Sequence, residues 1–285
     1  FNWAEISPTI FGAVFESTLN PETRRSGGMH YTSIENIHKV IDPLFLDELK
    51  AELEEIKEIA VEKTRVSRLK AYQSKLAGLA FLDPACGSGN FLTESYISLR
   101  RLENDALRYQ TNQITMGDYA NPIQVSIHQF YGIEINDFAA TVAKTALWIA
   151  ESQMLKETED IIAHQIDFLP LKSYANITEG NALRLNWEEV VPKEKLDYIM
   201  GNPPFVGYTY QSATQKADLQ ATMSNIGKNI DYVSGWYFKA AQYIQNTGIR
   251  AAFVSTNSIT QGEQVAGVWK PLYDRFGIHI DFAYR

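Results

Sequence analysis

LAFLDPACGSGNF, residues 79–91, decides the fold. An apolar run from Leu79 to Leu82 passes through Asp83 and Pro84 into a turn holding Gly87 and Gly89, and helix-forming residues follow. A strand that ends in a glycine turn and continues as a helix, to about Tyr109, is the opening unit of a doubly wound α/β sheet. Glycine lets the backbone come close to a ligand, and the first N–H groups of the helix are free to meet it. The turn lacks the third glycine of the dinucleotide fingerprint, and no Walker lysine follows it. A nucleoside with a small polar tail is therefore the expected ligand, rather than a phosphate chain.

The same alternation continues outward. HQFYGIEIND (128–137) reads as a second strand, with a helix over 138–154 behind it. ITEGNAL (177–183) ends a third, LDYIMGNPPF (196–205) forms a fourth, and GIRAAFVSTNSI (248–259) forms a fifth, preceded by a helix over 232–245. GIHIDFAYR (277–285) begins a sixth. Strands alternating with helices imply parallel βαβ units. Upstream, apolar residues such as Leu46, Leu49, Leu53 and Ile56 recur at helical spacing. The spacing predicts one helix from Asp42 to about Ala77, stopped by Gly78. Residues 1–77 thus read as an N-terminal helical subdomain and 78–285 as the core, with a polar surface insertion over 111–128.

Two further strand ends carry chemistry. Glu134 closes the second strand, where an acidic side chain in such folds reaches the ribose hydroxyls of a nucleoside lying over the first. Asn202-Pro203-Pro204-Phe205 closes the fourth, which is expected beside the first at the switch point of the sheet. Two prolines cannot extend a strand. They hold a loop rigid, so that the Asn202 amide oxygen and a neighbouring carbonyl aim at one spot. Two acceptors suit an exocyclic amine with two N–H donors, and Phe205 offers a face for a planar base.

DPACGSGNF, GIEIND, EGNAL and NPPF, in this order, resemble the motifs of S-adenosylmethionine-dependent DNA methyltransferases that act on amino groups. The resemblance is to the N6-adenine branch in which a cofactor motif precedes the glycine turn, and GGMHYTS (27–33) is similar to that early motif. It covers nearly all of residues 10–285 and implies a class I methyltransferase fold, Rossmann-like with a mainly parallel sheet. The chain looks like the methylase core of a fused restriction–modification protein. The resemblance implies that Tyr31 and Thr32 contact the methionine end of S-adenosylmethionine, which Asp83, Ala85, Gly87 and Gly89 cradle. Glu134 would hold the ribose diol, with Ile135 against the adenine. Asn181 and Ala182 match the position that contacts the cofactor adenine, where the family more often has aspartate than Asn181. Asn202, Pro203, Pro204 and Phe205 would form the catalytic loop. DYVSGWYFKA (231–240) is similar to the helix lining the target-base pocket, and AFVSTNSITQG (252–262) to the fifth strand and its loop. The implied chemistry is methyl transfer to N6 of an adenine flipped out of double-stranded DNA.

Composition bounds the alternatives. A net charge of −8 argues against non-specific coating of nucleic acid but leaves room for a local basic groove. No run of eighteen apolar residues marks a membrane span. A single cysteine, Cys86, excludes an internal disulfide and fits a reducing cytoplasm. Cys86 lies in the cofactor turn, the wrong place for a nucleophile of cytosine-C5 chemistry. His30, His38, His128, His164 and His279 show no metal spacing, so no metal is expected. No obligate protein partner is evident. The chain begins at Phe1 and reads as cut from a longer protein, with the element that recognises a DNA site expected outside residues 1–285. A protein glutamine N5 methyltransferase, which also uses an Asn-Pro-Pro loop, and a degenerate methylase-like binding module remain the rival readings.

Overall fold

A computed structural model describes residues 32–110, 122–162, 166, 175–223 and 229–284. Five strands form one sheet: β1 (Phe81–Asp83), β2 (Phe130–Glu134), β3 (Asn176–Glu179), β4 (Tyr198–Gly201) and β5 (Arg250–Phe253). Their order is β3-β2-β1-β4-β5, with every neighbouring pair parallel. The chain starts in the middle, winds out to β3, then returns to the other side of β1. The reversal between β1 and β4 opens a crevice at their C-terminal ends.

Successive residues of a strand face opposite sides of the sheet, and β1 feeds two cores accordingly. Phe81 is fully buried on one side, with ring centroids 4.9 Å from Phe45, 5.0 Å from Phe130 and 5.4 Å from Tyr198. That side is covered by α1 (Ile34–Ile41), α2 (Asp47–Lys57), α3 (Glu62–Gly78), α4 (Asn90–Arg108) and α5 (Asp137–Ile162). Leu82 points the other way, into a cluster with Ile133, Ile199, Trp187, Trp236, Phe238 and Val268. There the cover comes from α6 (Trp187–Val190), α7 (Ala213–Met223), α8 (Ser234–Tyr243) and α9 (Lys270–Phe276). The helices of 34–78 share one core with the sheet.

Three expectations need correction. The helix expected from Asp42 to Ala77 is broken: a π-helical turn spans Asp42–Leu46, and α2 ends at Lys57 before α3 starts at Glu62. A straight helix of that length would run about 54 Å and could not lay both halves on one core. The break lets Leu49, Leu53 and Ile56 share that core with Leu69, Tyr72 and Leu76. Tyr72 Oη donates to the Leu49 carbonyl at 2.9 Å across the joint, and Arg65 Nη1 donates to the Ile59 carbonyl at 2.9 Å. The helix after β2 extends to Ile162 rather than ending at 154. The sixth strand does not form: after Gly277, in the left-handed conformation (φ 61°), residues 278–284 pair with no strand. Alternation alone makes a strand only where a neighbouring edge accepts it. Of the insertion expected over 111–128, residues 111–121 lie outside the described residues, and Ile127–Gln129 form a 3₁₀ turn.

Candidate active site

The glycine turn wraps the end of β2. Cys86 N–H donates to the Ile133 carbonyl at 3.1 Å, and Gly89 N–H donates to the Cys86 carbonyl at 2.7 Å. Gly87 and Gly89 take φ values of 52° and 83°, a region that costs other L-residues energy. A Cβ on Gly89 would also sit 2.9 Å from Ala143 Cβ, so α4 starts pressed against α5. Glu134 fastens the turn: Oε2 accepts from Gly87 N–H at 2.8 Å and Oε1 from Asn136 N–H at 2.8 Å. On the far side, Trp236 Nε1 donates to the Pro84 carbonyl at 3.0 Å, tying α8 to the turn.

Two buried carboxyls flank this turn. Asp83 is 1% exposed, and its Oδ1 accepts from Ala85 N–H at 2.9 Å. Burial pushes its pKa up to about 8; the Ala85 N–H pulls it down, and the Glu134 charge adds to the rise. Burial likewise raises Glu134, against the pull of the N–H groups of Asn136, Gly87 and Ile135. A cation beside these carboxyls would favour their ionised form, so its binding is coupled to release of any proton they hold. Cys86, also buried, has its thiol pushed well above the ordinary range, chiefly by burial. A thiol held protonated is no nucleophile.

The catalytic loop leaves β4 one strand away. The Asn202 Nδ2 group donates to Thr32 Oγ1 at 3.0 Å, while Asn202 Oδ1 is buried without a hydrogen-bond partner among the described residues. Pro203 is buried and Phe205 half-buried. Past Phe205 the backbone is clamped from three sides. Val206 N–H donates to Asp231 Oδ1 at 3.0 Å. The Val206 carbonyl accepts from Tyr232 N–H at 3.1 Å and from Gln211 Nε2 at 2.8 Å. Asp231 Oδ1 also takes Val233 N–H at 3.2 Å, so one buried carboxylate joins the loop to the start of α8.

The crevice therefore gathers Asp83, Ala85, Gly87, Gly89 and Glu134 on the β1–β2 side and Asn202 to Phe205, with Thr32 held against Asn202, on the β4 side. Ile135, beyond Glu134, is 67% exposed and offers a bare apolar surface. Asn181 is differently employed: Oδ1 accepts from Leu183 N–H at 3.0 Å and Nδ2 donates to buried Asp218 Oδ2 at 2.9 Å. Ala182 is buried, its carbonyl accepting from Trp187 Nε1 at 2.9 Å. Tyr31 lies outside the described residues. Sequence reasoning missed Asp231, Gln211 and Asp218, which act only through contacts made in the fold. A buried aspartate heading the DYVSGWYFKA stretch was the one available signal.

Residues 56–285 match the family described as MmeI, DNA-methyltransferase domain. The chain belongs to this family. It is 42% identical over 289 aligned positions to DNA methyltransferase A of Bacillus subtilis, covering 100% of this chain and 32% of that protein. It is 27% identical over 220 positions to a putative type II restriction enzyme and methyltransferase of Methanocaldococcus jannaschii, covering 70% of this chain and 18% of the relative. Among solved structures, the type IIL restriction–modification enzyme MmeI in complex with DNA superposes with a TM-score of 0.88 at 46% identity, over 95% of this chain and 36% of that one. The DrdV–DNA complex shares the fold, with a TM-score of 0.52 at 17% identity over 92% of this chain and 24% of that one. The MmeI-family chain thus spans about a third of the length of its more similar relatives. Among the described residues, no helix is long and apolar enough to cross a membrane.

Proposed function

We propose that the full-length protein transfers a methyl group from S-adenosylmethionine to N6 of an adenine flipped out of double-stranded DNA, as the methylase of a restriction–modification system. The observation that carries this reading is the buried, unpartnered Asn202 Oδ1 at the end of β4. A buried acceptor without a partner costs stability, and it stands beside the strand that launches the glycine turn. Family membership supports DNA over a protein glutamine as the acceptor.

The residues fit the donor. Glu134 is placed for the ribose hydroxyls and Ile135 for an apolar base face. Asp83, with Ala85, Gly87 and Gly89, would line the cationic methionine end, where the family resemblance also assigns Tyr31 and Thr32. Asn181 and Ala182 would border the cofactor adenine, although the Asn181 side chain is already engaged with Asp218. When bound, S-adenosylmethionine supplies an electrophilic methyl group. The task left to the chain is to make a poor nucleophile point correctly. Asn202 Oδ1 and the Pro203 carbonyl would accept hydrogen bonds from the two N6–H groups, favouring a more tetrahedral nitrogen with an available lone pair. As N6 gains the methyl, the S–CH3 bond would break to leave a neutral thioether, and one N6 proton would pass to solvent. Phe205 supports the ring, and Asp231, through Val206, keeps the loop from sliding. Catalysis on this reading is positioning and electrostatics, with no covalent enzyme intermediate. Residues 1–77 would complete the donor site, and 78–285 would form the catalytic core.

The test is to incubate the full-length protein with duplex DNA and S-adenosylmethionine carrying a labelled methyl, then digest to nucleosides. Label in N6-methyladenine is expected. Label in a cytosine derivative or in protein, or no transfer, would overturn the proposal.

A further inference from the structure

An asparagine side chain has two unlike ends: the oxygen only accepts, and the nitrogen only donates. Turned the wrong way, Asn202 would meet a target amine with N–H facing N–H. Something must choose the orientation, and the chosen one has Nδ2 donating to Thr32 Oγ1 at 3.0 Å. Thr32 is 8% exposed, so little water competes for that bond. Its own place is fixed. Ser33 caps α1 by accepting Asn36 N–H at 3.4 Å, and Ile37, Val40 and Ile41 bury that helix in the core.

We propose that Thr32 is a positioning residue for Asn202, holding the amide so that Oδ1 faces the target amine. This rests on the reading of Asn202 as the acceptor for that amine. A hydroxyl that accepts one hydrogen bond keeps its own proton to donate. The position at the methionine end of the donor and the hold on Asn202 are therefore compatible in one side chain. One residue then links the donor side of the crevice to the acceptor side.

The experiment compares Thr32→Val, Thr32→Ser and Asn202→Ala in the full-length protein. Single-turnover methyl transfer is measured at saturating S-adenosylmethionine, and cofactor Kd by calorimetry. Thr32→Val should slow transfer at saturating S-adenosylmethionine roughly 2- to 12-fold, the worth of one neutral hydrogen bond, while any rise in Kd reports its separate contact with the donor. Thr32→Ser should restore most of the rate. Wild-type transfer by Thr32→Val, a loss confined to Kd, or a Thr32→Ser variant as slow as Thr32→Val would overturn the inference. If Asn202→Ala itself transfers at the wild-type rate, the reading of Asn202 fails, and this inference fails with it. A double-mutant cycle guards against mere structural damage. In an Asn202→Asp background both ends are oxygen, so adding Thr32→Val should slow transfer less than it does beside Asn202. An equal slowing in both backgrounds would assign the Thr32 effect to packing and overturn the inference.

Discussion

Gly201 and Asp83 meet tip to tip: a Cβ added to Gly201 would lie 2.4 Å from Asp83 Oδ1 and 2.9 Å from its Cγ. The pair joins the end of β4, which launches the Asn202 loop, to the end of β1, which launches the glycine turn. Only a hydrogen fits between them, so the separation of the two halves of the site is set by that contact.

Gly201→Ala should therefore destabilise the protein by about 1–3 kcal/mol, as overpacking of a tight interior does, and should weaken cofactor binding by displacing Asp83. Urea unfolding and calorimetry report the two effects. An unchanged unfolding midpoint would mean that the contact has slack.

Asp83 gives the unliganded protein an unusual acid–base behaviour. Its folded pKa is raised to about 8, whereas an unfolded aspartate ionises near about 3.9. Between those values the folded state holds the extra proton, so this residue makes stability fall as pH rises from about 4 to about 8. Asp83→Asn keeps an oxygen for the Ala85 N–H and should flatten that slope in a series of urea midpoints. A slope identical to wild type would place the ionised form in the folded protein.

Glu134→Ala should weaken S-adenosylmethionine binding roughly 10- to 150-fold, since hydrogen bonds to a charged group contribute about 1.5–3 kcal/mol. Glu134→Gln keeps one acceptor but turns an N–H2 toward Gly87 or Asn136, so it should fall between the two. Calorimetry that finds the Ala variant binding as tightly as wild type would move the ribose site elsewhere.

His38 supplies a second pH dependence. Nδ1 lies 2.8 Å from Asp42 Oδ1 and Nε2 lies 3.1 Å from Oε1 of buried Glu94. Burial alone would lower its pKa, but the hydrogen bonds and charges of Asp42 and Glu94 outweigh it and raise it above 6.5. A raised basic group stabilises fully below its unfolded pKa and loses that contribution as pH climbs through the folded value. His38→Gln should therefore lower stability most below an ordinary histidine pKa of about 6.5, with the deficit shrinking as pH rises through the raised folded value. A deficit of equal size across that range would make the contact purely steric.

The sheet was legible because each strand announces itself locally. β1, β2 and β4 are apolar runs ending in residues with a task, and the neighbourhood of β1 and β4 followed from topology. The break between α2 and α3 was not legible. Ile59, Ala60 and Val61 continue a helical pattern, and only the demand of Tyr72 and Leu76 for a place in the core ends it. The sixth strand was over-read from alternation: Ile278, Ile280 and Phe282 alternate well, yet among the described residues they pair with no strand, although β5 stands at the edge of the sheet. In the crevice, the positions of Glu134 and Asn202 at the ends of β2 and β4 were legible from the strands themselves. Asp231 was not, because a clamp on Val206 exists only once the loop and α8 have met. The same holds for Asn181, whose engagement with Asp218 depends on where α7 lands.

Asn202 and Thr32 stand 170 positions apart in the chain. A ribosome adding about 5–20 residues per second needs roughly 10–30 s to travel from one to the other. By the last part of that interval the nascent polypeptide carries β1, β2 and the turn between them, while the amide that must face the acceptor has not been made. Closing so long a loop is also slow and entropically costly compared with the local contacts of each βα unit. On the proposed reading, the residues of the glycine turn and Glu134 are thus encoded early in synthesis and the acceptor amide late.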